Sequence, residues 1–352
     1  MNILILNDVF AHSTENKLTY HQWLHELIKG AIEIGNPQAK VAQIHELTSV
    51  NFELFSGSGY DVLTGDRLDR AKEHLREIIH NYDLIICIEA TKALRAFFEE
   101  VDCEHILIYF SPVRFSKDIY FSLQFSSPNT REKMAAYAVQ ESDLFDLANY
   151  WKCLINEKEE PLDMPKNSAL LIGQVPKDLS VWNGSKMLTL SDYEADIRDI
   201  NEAYSSILFK PHPYDRSGNA SFLNRVVGEV SITDTNVYRL LASDAIAKVF
   251  AISSSVVEES RFFRKQSAYL FEPFFNADRT HLTFGCSVLS SSFWQVVLKD
   301  NKTEISDFLN DKIDMRGFRN MYWSYPYLDA LHALPSRNLP PELVATIQAH
   351  KG

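Results

Sequence analysis

Short apolar runs alternate along most of the chain with stretches in which apolar positions recur every three or four residues. Residues 2–7, 39–44, 83–88 and 105–110 have the unbroken apolar character of strands covered on both faces. The stretches near 18–34, 66–80, 91–100 and 129–149 have the spacing of helices that bury one face. The alternation resumes with strands at 168–173, 206–210, 246–252 and 267–271, and helices near 190–203, 236–243 and 255–264. Strand and helix in regular exchange are the sequence form of parallel sheets joined by crossover helices, so the pattern predicts an α/β fold.

Its interruptions divide the chain. A Gly/Ser cluster at 55–61 reads as a loop, and the aromatic stretch at 113–128 fits neither template. The charged, Pro-containing segment 156–166 is the expected linker between a Rossmann-like domain at 1–155 and a second one at 167–320. Helical pieces near 291–310 and 315–333 and a last helix from Pro340-Pro341 are expected to end the chain, with 321–352 as a C-terminal helical segment. Two such lobes facing a cleft would bind ligands beyond the carboxyl ends of their strands.

Size agrees with two domains, since 352 residues exceed what one hydrophobic core usually serves. No apolar stretch is long enough to span a bilayer, and the start, Met1-Asn-Ile-Leu-Ile-Leu-Asn7, reads as a buried strand rather than a signal peptide. A cytoplasmic location is expected, at most peripheral to the inner face of the inner membrane. The four cysteines, Cys87, Cys103, Cys153 and Cys286, have no metal or disulfide spacing and are expected as reduced core residues. A net charge of −12 disfavours nucleic acid, so an anionic ligand would have to be held locally.

Three segments of the second half carry candidate chemistry. The strand ending in Phe209-Lys210-Pro211-His212-Pro213 presents a cation and an imidazole on a backbone stiffened by two prolines. Lys210 suits a phosphate or carboxylate, and His212 can bond a phosphate oxygen or protonate a leaving group. The run Ile252-Ser253-Ser254-Ser255-Val-Val-Glu258-Glu259 is a strand, a hydroxyl-rich turn and a helix start. Capping explains one serine, whereas three with free backbone N–H groups make an anion cradle. Glu258 can close a capping box or reach a ribose diol. The third segment, Gly173-Gln174-Val-Pro-Lys-Asp178-Leu-Ser-Val181, follows a strand, and on spacing alone Asp178 is a turn residue.

In the first half, Glu89 follows the strand at 83–88, as either a helix-start acid or a catalytic base. Arg114 either pairs with Asp118 or meets a substrate carboxylate. His21 and His25 share a helix face without a nearby third ligand, so no metal site is expected. Dinucleotide and P-loop glycine fingerprints are absent, and no two aspartates stand two apart as in the metal clamp of many nucleotide-diphosphate sugar enzymes.

Together, Gly173-Gln-Val-Pro-Lys-Asp178, Phe209-Lys-Pro-His-Pro213 and Ser253-Ser-Ser-Val-Val-Glu-Glu259 resemble, in order and spacing, the capsule-polysaccharide family of GT-B glycosyltransferases. They are most similar to the retaining β-Kdo transferases that use CMP-β-Kdo. The first half resembles the family chiefly through Ile88-Glu89 and Pro112-Val-Arg-Phe115. The resemblance implies an acceptor-side first domain and a nucleotide-sugar-binding second domain. It implies Asp178 as nucleophile of a double displacement, His212 as leaving-group partner and Glu89 as acceptor base. Gln174, Lys210, His212, Pro213, Ser253, Ser254, Ser255 and Glu258 would bind nucleotide, and Arg114 substrate. No metal or other cofactor is then required. The partners implied are a CMP-sugar donor, a glycan or glycolipid acceptor, and other domains or enzymes of capsule, O-antigen or lipopolysaccharide assembly. The rival readings are an inverting CMP-sialic acid (or other CMP-sugar) transferase and a non-catalytic glycan- or nucleotide-binding protein on the same scaffold.

Overall fold

The structure is a computed structural model and describes residues 1–12, 21–55, 61–116, 119–175, 178–212, 219–228, 230–273 and 281–299. The early apolar runs become β1 (Asn2–Asn7), β3 (Lys40–Gln43), β5 (Leu84–Ile88) and β6 (His105–Phe110). Between and after them come β2 (Ala11–His12), α1 (Gln22–Gly35), α2 (Phe52–Phe55), β4 (Asp61–Val62), α3 (Gly65–Ile79), α4 (Lys92–Glu100), β7 (Phe121–Phe125) and α5 (Pro128–Ala135). Then follow α6 (Glu141–Lys158), β8 (Ser168–Ile172), α7 (Glu194–Ala203), β9 (Ser206–Lys210), α8 (Asn219–Val227), β10 (Ser231–Ile232) and α9 (Val237–Ala242). The chain continues through β11 (Ile246–Ala251), α10 (Val256–Phe262), β12 (Gln266–Tyr269), β13 (Leu282–Phe284) and α11 (Ser291–Lys299).

Contacts group these elements into two units. The first comprises the described residues of Met1–Ser111, Asp118–Val139 and Phe274–Met315, and the second those of Pro112–Lys117 and Gln140–Pro273. In the first, the sheet order is β13-β7-β6-β5-β1-β3, with β3, β1, β5 and β6 parallel and β7 and β13 antiparallel. In the second, β10-β9-β8-β11-β12 is parallel throughout. Both are Rossmann-like, and the α/β class expected from the alternation is the one observed.

The central strands β1, β5 and β8 are buried along nearly their whole length because helices cover both faces. In the first unit, Leu4, Leu6, Cys87 and Leu107 meet Ala71, Leu75 and Ile78 of α3 and Leu94, Phe97 and Phe98 of α4. In the second, Ala169, Leu171, Ile207 and Phe209 meet Ile197 and Ile200 of α7 and Leu223 of α8.

Several elements depart from the sequence reading. The helix expected at 129–149 is two helices, and the second, α6, runs to Lys158, into the expected linker. Its inward stripe Leu144, Ala148, Trp151 and Ile155 belongs to the second unit, where α6 packs on α9 and α10 and Phe145 meets Phe262 at 5.2 Å. The stretch at 113–128 contains β7, whose alternating burial is that of a strand covered on one face. Residues 281–299, expected in the second domain, add β13 and α11 to the first unit. Cys87 and Cys286 are buried core thiols, but Cys153 is exposed, two positions from the inward-facing Trp151. Among the described residues no helix is long and apolar enough to cross a membrane. The expected C-terminal segment 321–352 lies outside the described residues.

Helix α1 lies against α11 at Gly35, where a Cβ would overlap the carbonyl oxygen of Ser291 and come within 3.3 Å of Gln295 Cγ. Gly30, in the same helix, has nothing within 4 Å of such an atom. Gly35→Ala is therefore expected to destabilise the protein by about 1–3 kcal/mol. Gly30→Ala should stabilise it by roughly 0.5–1 kcal/mol through helix propensity. Urea unfolding midpoints of the two variants should move in opposite directions.

Candidate functional site

The strand order of the second unit defines where a ligand belongs. From β8 the chain winds outward through β9 and β10, then returns to β11 on the other side of β8. The crossovers part at the carboxyl ends of β8 and β11, opening a crevice there. Gln174 follows β8 by two residues, and its side chain spans that point. Its Oε1 accepts the backbone N–H of Ser253 at 2.9 Å, while Nε2 donates to the hydroxyls of Ser253 at 2.8 Å and Ser180 at 2.6 Å. The two serine hydroxyls also bond each other at 3.1 Å.

Gly173 brings the next strand into the same edge. Its N–H donates to Lys210 O at 2.8 Å, and a Cβ there would stand 2.9 Å from His212 N and 3.0 Å from Pro211 Cα. Those neighbours are backbone and cannot swing aside. Lys210 and His212 are half-buried, with Lys210 Nζ 3.4 Å from Asp234 O. The three segments read from the sequence, 79 residues apart at their farthest bonded pair, thus meet at the ends of β9, β8 and β11. Pro213 lies outside the described residues.

Asp178 opens the turn Leu179–Val181, where its Oδ1 accepts the N–H of Ser180 at 2.9 Å. The residue is exposed, and its other oxygen takes no hydrogen bond among the described residues. The turn interpretation and the nucleophile interpretation are therefore compatible: one oxygen is anchored and the other is available. Beside this edge lies a shallow depression lined by Gln174, Val175, Val181, Leu188 and Ile252 among others, without Asp178, Lys210 or His212.

The serine turn divides its labour. Ser253 is spent on Gln174 and Ser180. Ser254 and Ser255 are half-buried, and Ser255 at the start of α10 makes no capping bond through its side chain. The capping box, one of the two alternatives for Glu258, is not formed with Ser255. Glu258 pairs instead with Arg261 at 3.3 Å, and Glu259 turns inward. Fully buried, Glu259 accepts Tyr238 O–H at 2.8 Å and Arg114 N–H at 3.0 Å. Burial pushes its carboxyl up to about 7, against the opposing pull of the nearby Arg114 charge. Arg114 thus belongs to a buried arrangement around Glu259, with Phe115 packed on Phe263 at 5.5 Å. The alternative partner Asp118 lies outside the described residues.

The first unit has its own switch point, between β1 and β5. Asp8, which the sequence reading passed over, is fully buried there and accepts the N–H groups of Phe10 at 2.8 Å and Thr91 at 2.5 Å. Glu89 adopts a left-handed backbone (φ 59°) and accepts Phe110 N–H at 2.8 Å, tying β5 to β6 rather than opening a helix. His21 is the left-handed residue before α1, with no side-chain cap bond. His25 is buried and bonded through Nε2 to Asn7 Oδ1 at 2.6 Å. Burial first, and His45 second, lower its pKa to about 4.

Fold and edge together define an α/β protein with two Rossmann-like units, the second joining the three segments that bear Asp178, Lys210 and Ser253 at one end of its sheet. No protein-family model matches the chain, and no curated protein matches it in sequence. Among solved structures it is similar to a KpsC beta Kdo 2,7 transferase of Thermosulfurimonas dismutans, at 14% identity and TM-score 0.44, over 80% of this chain and 82% of that one. The KpsC beta Kdo 2,4 transferase of the same organism is similar at 13% identity and TM-score 0.38, over 80% and 83%. The heptosyltransferase WaaC of E. coli is similar at 13% and 0.29, over 76% and 87%.

Gln174→Ala leaves the Ser253 N–H without its acceptor and should cost about 1–3 kcal/mol in chemical denaturation. Glu259 gives a pH dependence of definite sign. Below the ordinary carboxyl value of 4.5 it is protonated folded and unfolded alike. Between 4.5 and about 7 the unfolded chain releases a proton that the folded one keeps, so stability falls as pH rises. The loss reaches about 3 kcal/mol above that window. Glu259→Gln, which keeps an acceptor for Arg114 N–H, should flatten this limb when unfolding free energy is measured from pH 4 to 8.

Proposed function

We propose that this chain is a glycosyltransferase that moves Kdo from CMP-β-Kdo to a glycan or glycolipid acceptor with retention, in capsule or lipopolysaccharide assembly. The observation that supports it is that Gly173 and Gln174 tie the segments bearing Lys210 and His212, Ser253 to Ser255, and Asp178 to the ends of β8 and β11. A CMP-sugar leaves a single phosphate, and a lysine, an imidazole and serine hydroxyls suffice to neutralise it, so no metal is assigned to the step.

In this reading the unanchored oxygen of Asp178 attacks the anomeric carbon. The bond from that carbon to the phosphate oxygen breaks, and its electron pair leaves with CMP, which Lys210 and His212 stabilise. The acceptor hydroxyl, losing its proton to Glu89 as base, then displaces the carboxylate. Two inversions give net retention. Glu258 is assigned to the ribose, and Arg114 acts through Glu259 rather than on substrate.

CMP-Kdo should raise the unfolding temperature where CMP-sialic acid and a nucleotide-diphosphate sugar do not, since a ligand of the folded state must stabilise it. Intact-mass spectrometry of protein incubated with CMP-Kdo should reveal one covalent sugar on Asp178. Asp178→Ala should lower turnover by roughly three orders of magnitude without lowering stability comparably. An active Asp178→Ala variant would overturn the double displacement, and protection by CMP-sialic acid alone would overturn the donor.

A further inference from the structure

A second cluster of side chains, all within the first unit, has no part in this chemistry. Glu26 on α1 and His45 and Glu46, in the 3-10 turn Ile44–Glu46 after β3, each place a ligand atom within 4.8 Å of the other two. One buried residue holds both carboxylates. Gln43 donates from Nε2 to Glu26 Oε1 at 2.9 Å and from its backbone N–H to Glu46 Oε2 at 3.2 Å. Such outer-shell bonds orient carboxylates that bind metals.

The imidazole between them is unsatisfied. His45 Nδ1 is closed off from solvent and has no hydrogen-bond partner among the described residues. Behind it the fully buried ring of His25 stacks on His45 at 6.3 Å, with Gln43 as its own side-chain partner. A buried polar atom left without a partner costs about 1–3 kcal/mol, and in a folded protein such an atom calls for a compensating ligand.

We propose that Glu26, His45 and Glu46 bind a divalent transition metal of the zinc class, with water completing its coordination. Imidazole nitrogen and carboxylate oxygen are both zinc ligands at about 2.0–2.2 Å, which sets them roughly 3.4 Å apart in a tetrahedron. Glu26 and Glu46 are exposed and need move only about an ångström to close the set. The nearest competitor is part of the fold: Lys29 Nζ lies 3.0 and 3.2 Å from the two oxygens of Glu46 and acts as its counter-ion. A bound metal displaces Lys29 from one of them. It also staples α1 to the end of β3, a structural role separate from the metal-free transfer assigned to the second unit.

Tag-free protein stripped with chelator should bind one equivalent of Zn²⁺ by calorimetry, with a raised unfolding temperature, and Co²⁺ should give the intense visible absorption of a tetrahedral site. Glu26→Gln and His45→Gln should each weaken Zn²⁺ binding at least tenfold, and Lys29→Met should strengthen it. Glu26 is exposed, so unchanged circular dichroism of Glu26→Gln separates loss of a ligand from loss of fold. Failure of the wild type to bind Zn²⁺, or equal binding by wild type and both ligand variants, overturns the proposal whatever the donor experiments show.

Discussion

The side-chain amide of Gln174 holds the carboxyl ends of β8 and β11 together, and the candidate site stands on that bond. At a switch point two strands lose their common ladder just where a ligand must be received, and something other than backbone has to fix the gap. A primary amide does so with an acceptor and a donor in one plane: it takes the Ser253 N–H and gives to two hydroxyls. Glutamate could not donate, and an apolar side chain could do neither. Ser180, fixed by the same amide, anchors the turn that carries Asp178. Gly173, one residue earlier, admits the Lys210–His212 backbone to contact distance.

The first unit solves the same problem with opposite electrostatics. Asp8 closes its switch point and Glu89 ties its next strand pair, both by accepting N–H groups onto carboxylates. That edge therefore gathers negative charge, to which Glu26 and Glu46 add. The edge of the second unit is closed by a neutral amide and flanked by Lys210. In a chain of net charge −12, the two sheet edges thus differ in local charge through the residue type that closes each gap.

What was legible in the sequence follows from how local each feature is. The runs at 2–7, 83–88 and 168–173 became β1, β5 and β8 almost residue for residue, because a strand covered on both faces must be apolar throughout. Gly173, Lys210 and Ser253 were legible as strand-end residues for the same reason. Asp8 and Glu259 were not, because their roles depend on partners 83 and 145 positions away. The division into units was misread where local pattern carries no pairing information. The three residues of β13 read alike whichever sheet they join, and the stripe of α6 does not say which helices cover it. The two-residue β10 went unassigned, being too brief for periodicity to distinguish.

The placement of β13 and α11 has a consequence for the order in which the molecule is built. On a ribosome the chain emerges from its N-terminus, and the parallel core β1, β3, β5 and β6 is available early. Its edge strand and the helix that seats on Gly35 emerge only after the segment Gln140–Pro273 of the second unit has been made. Until then the flank of β7 is an unpaired strand edge and the face of α1 an uncovered apolar surface, the two features that invite association between nascent chains. A fragment cut at the segment 156–166 would keep the first unit permanently in that state.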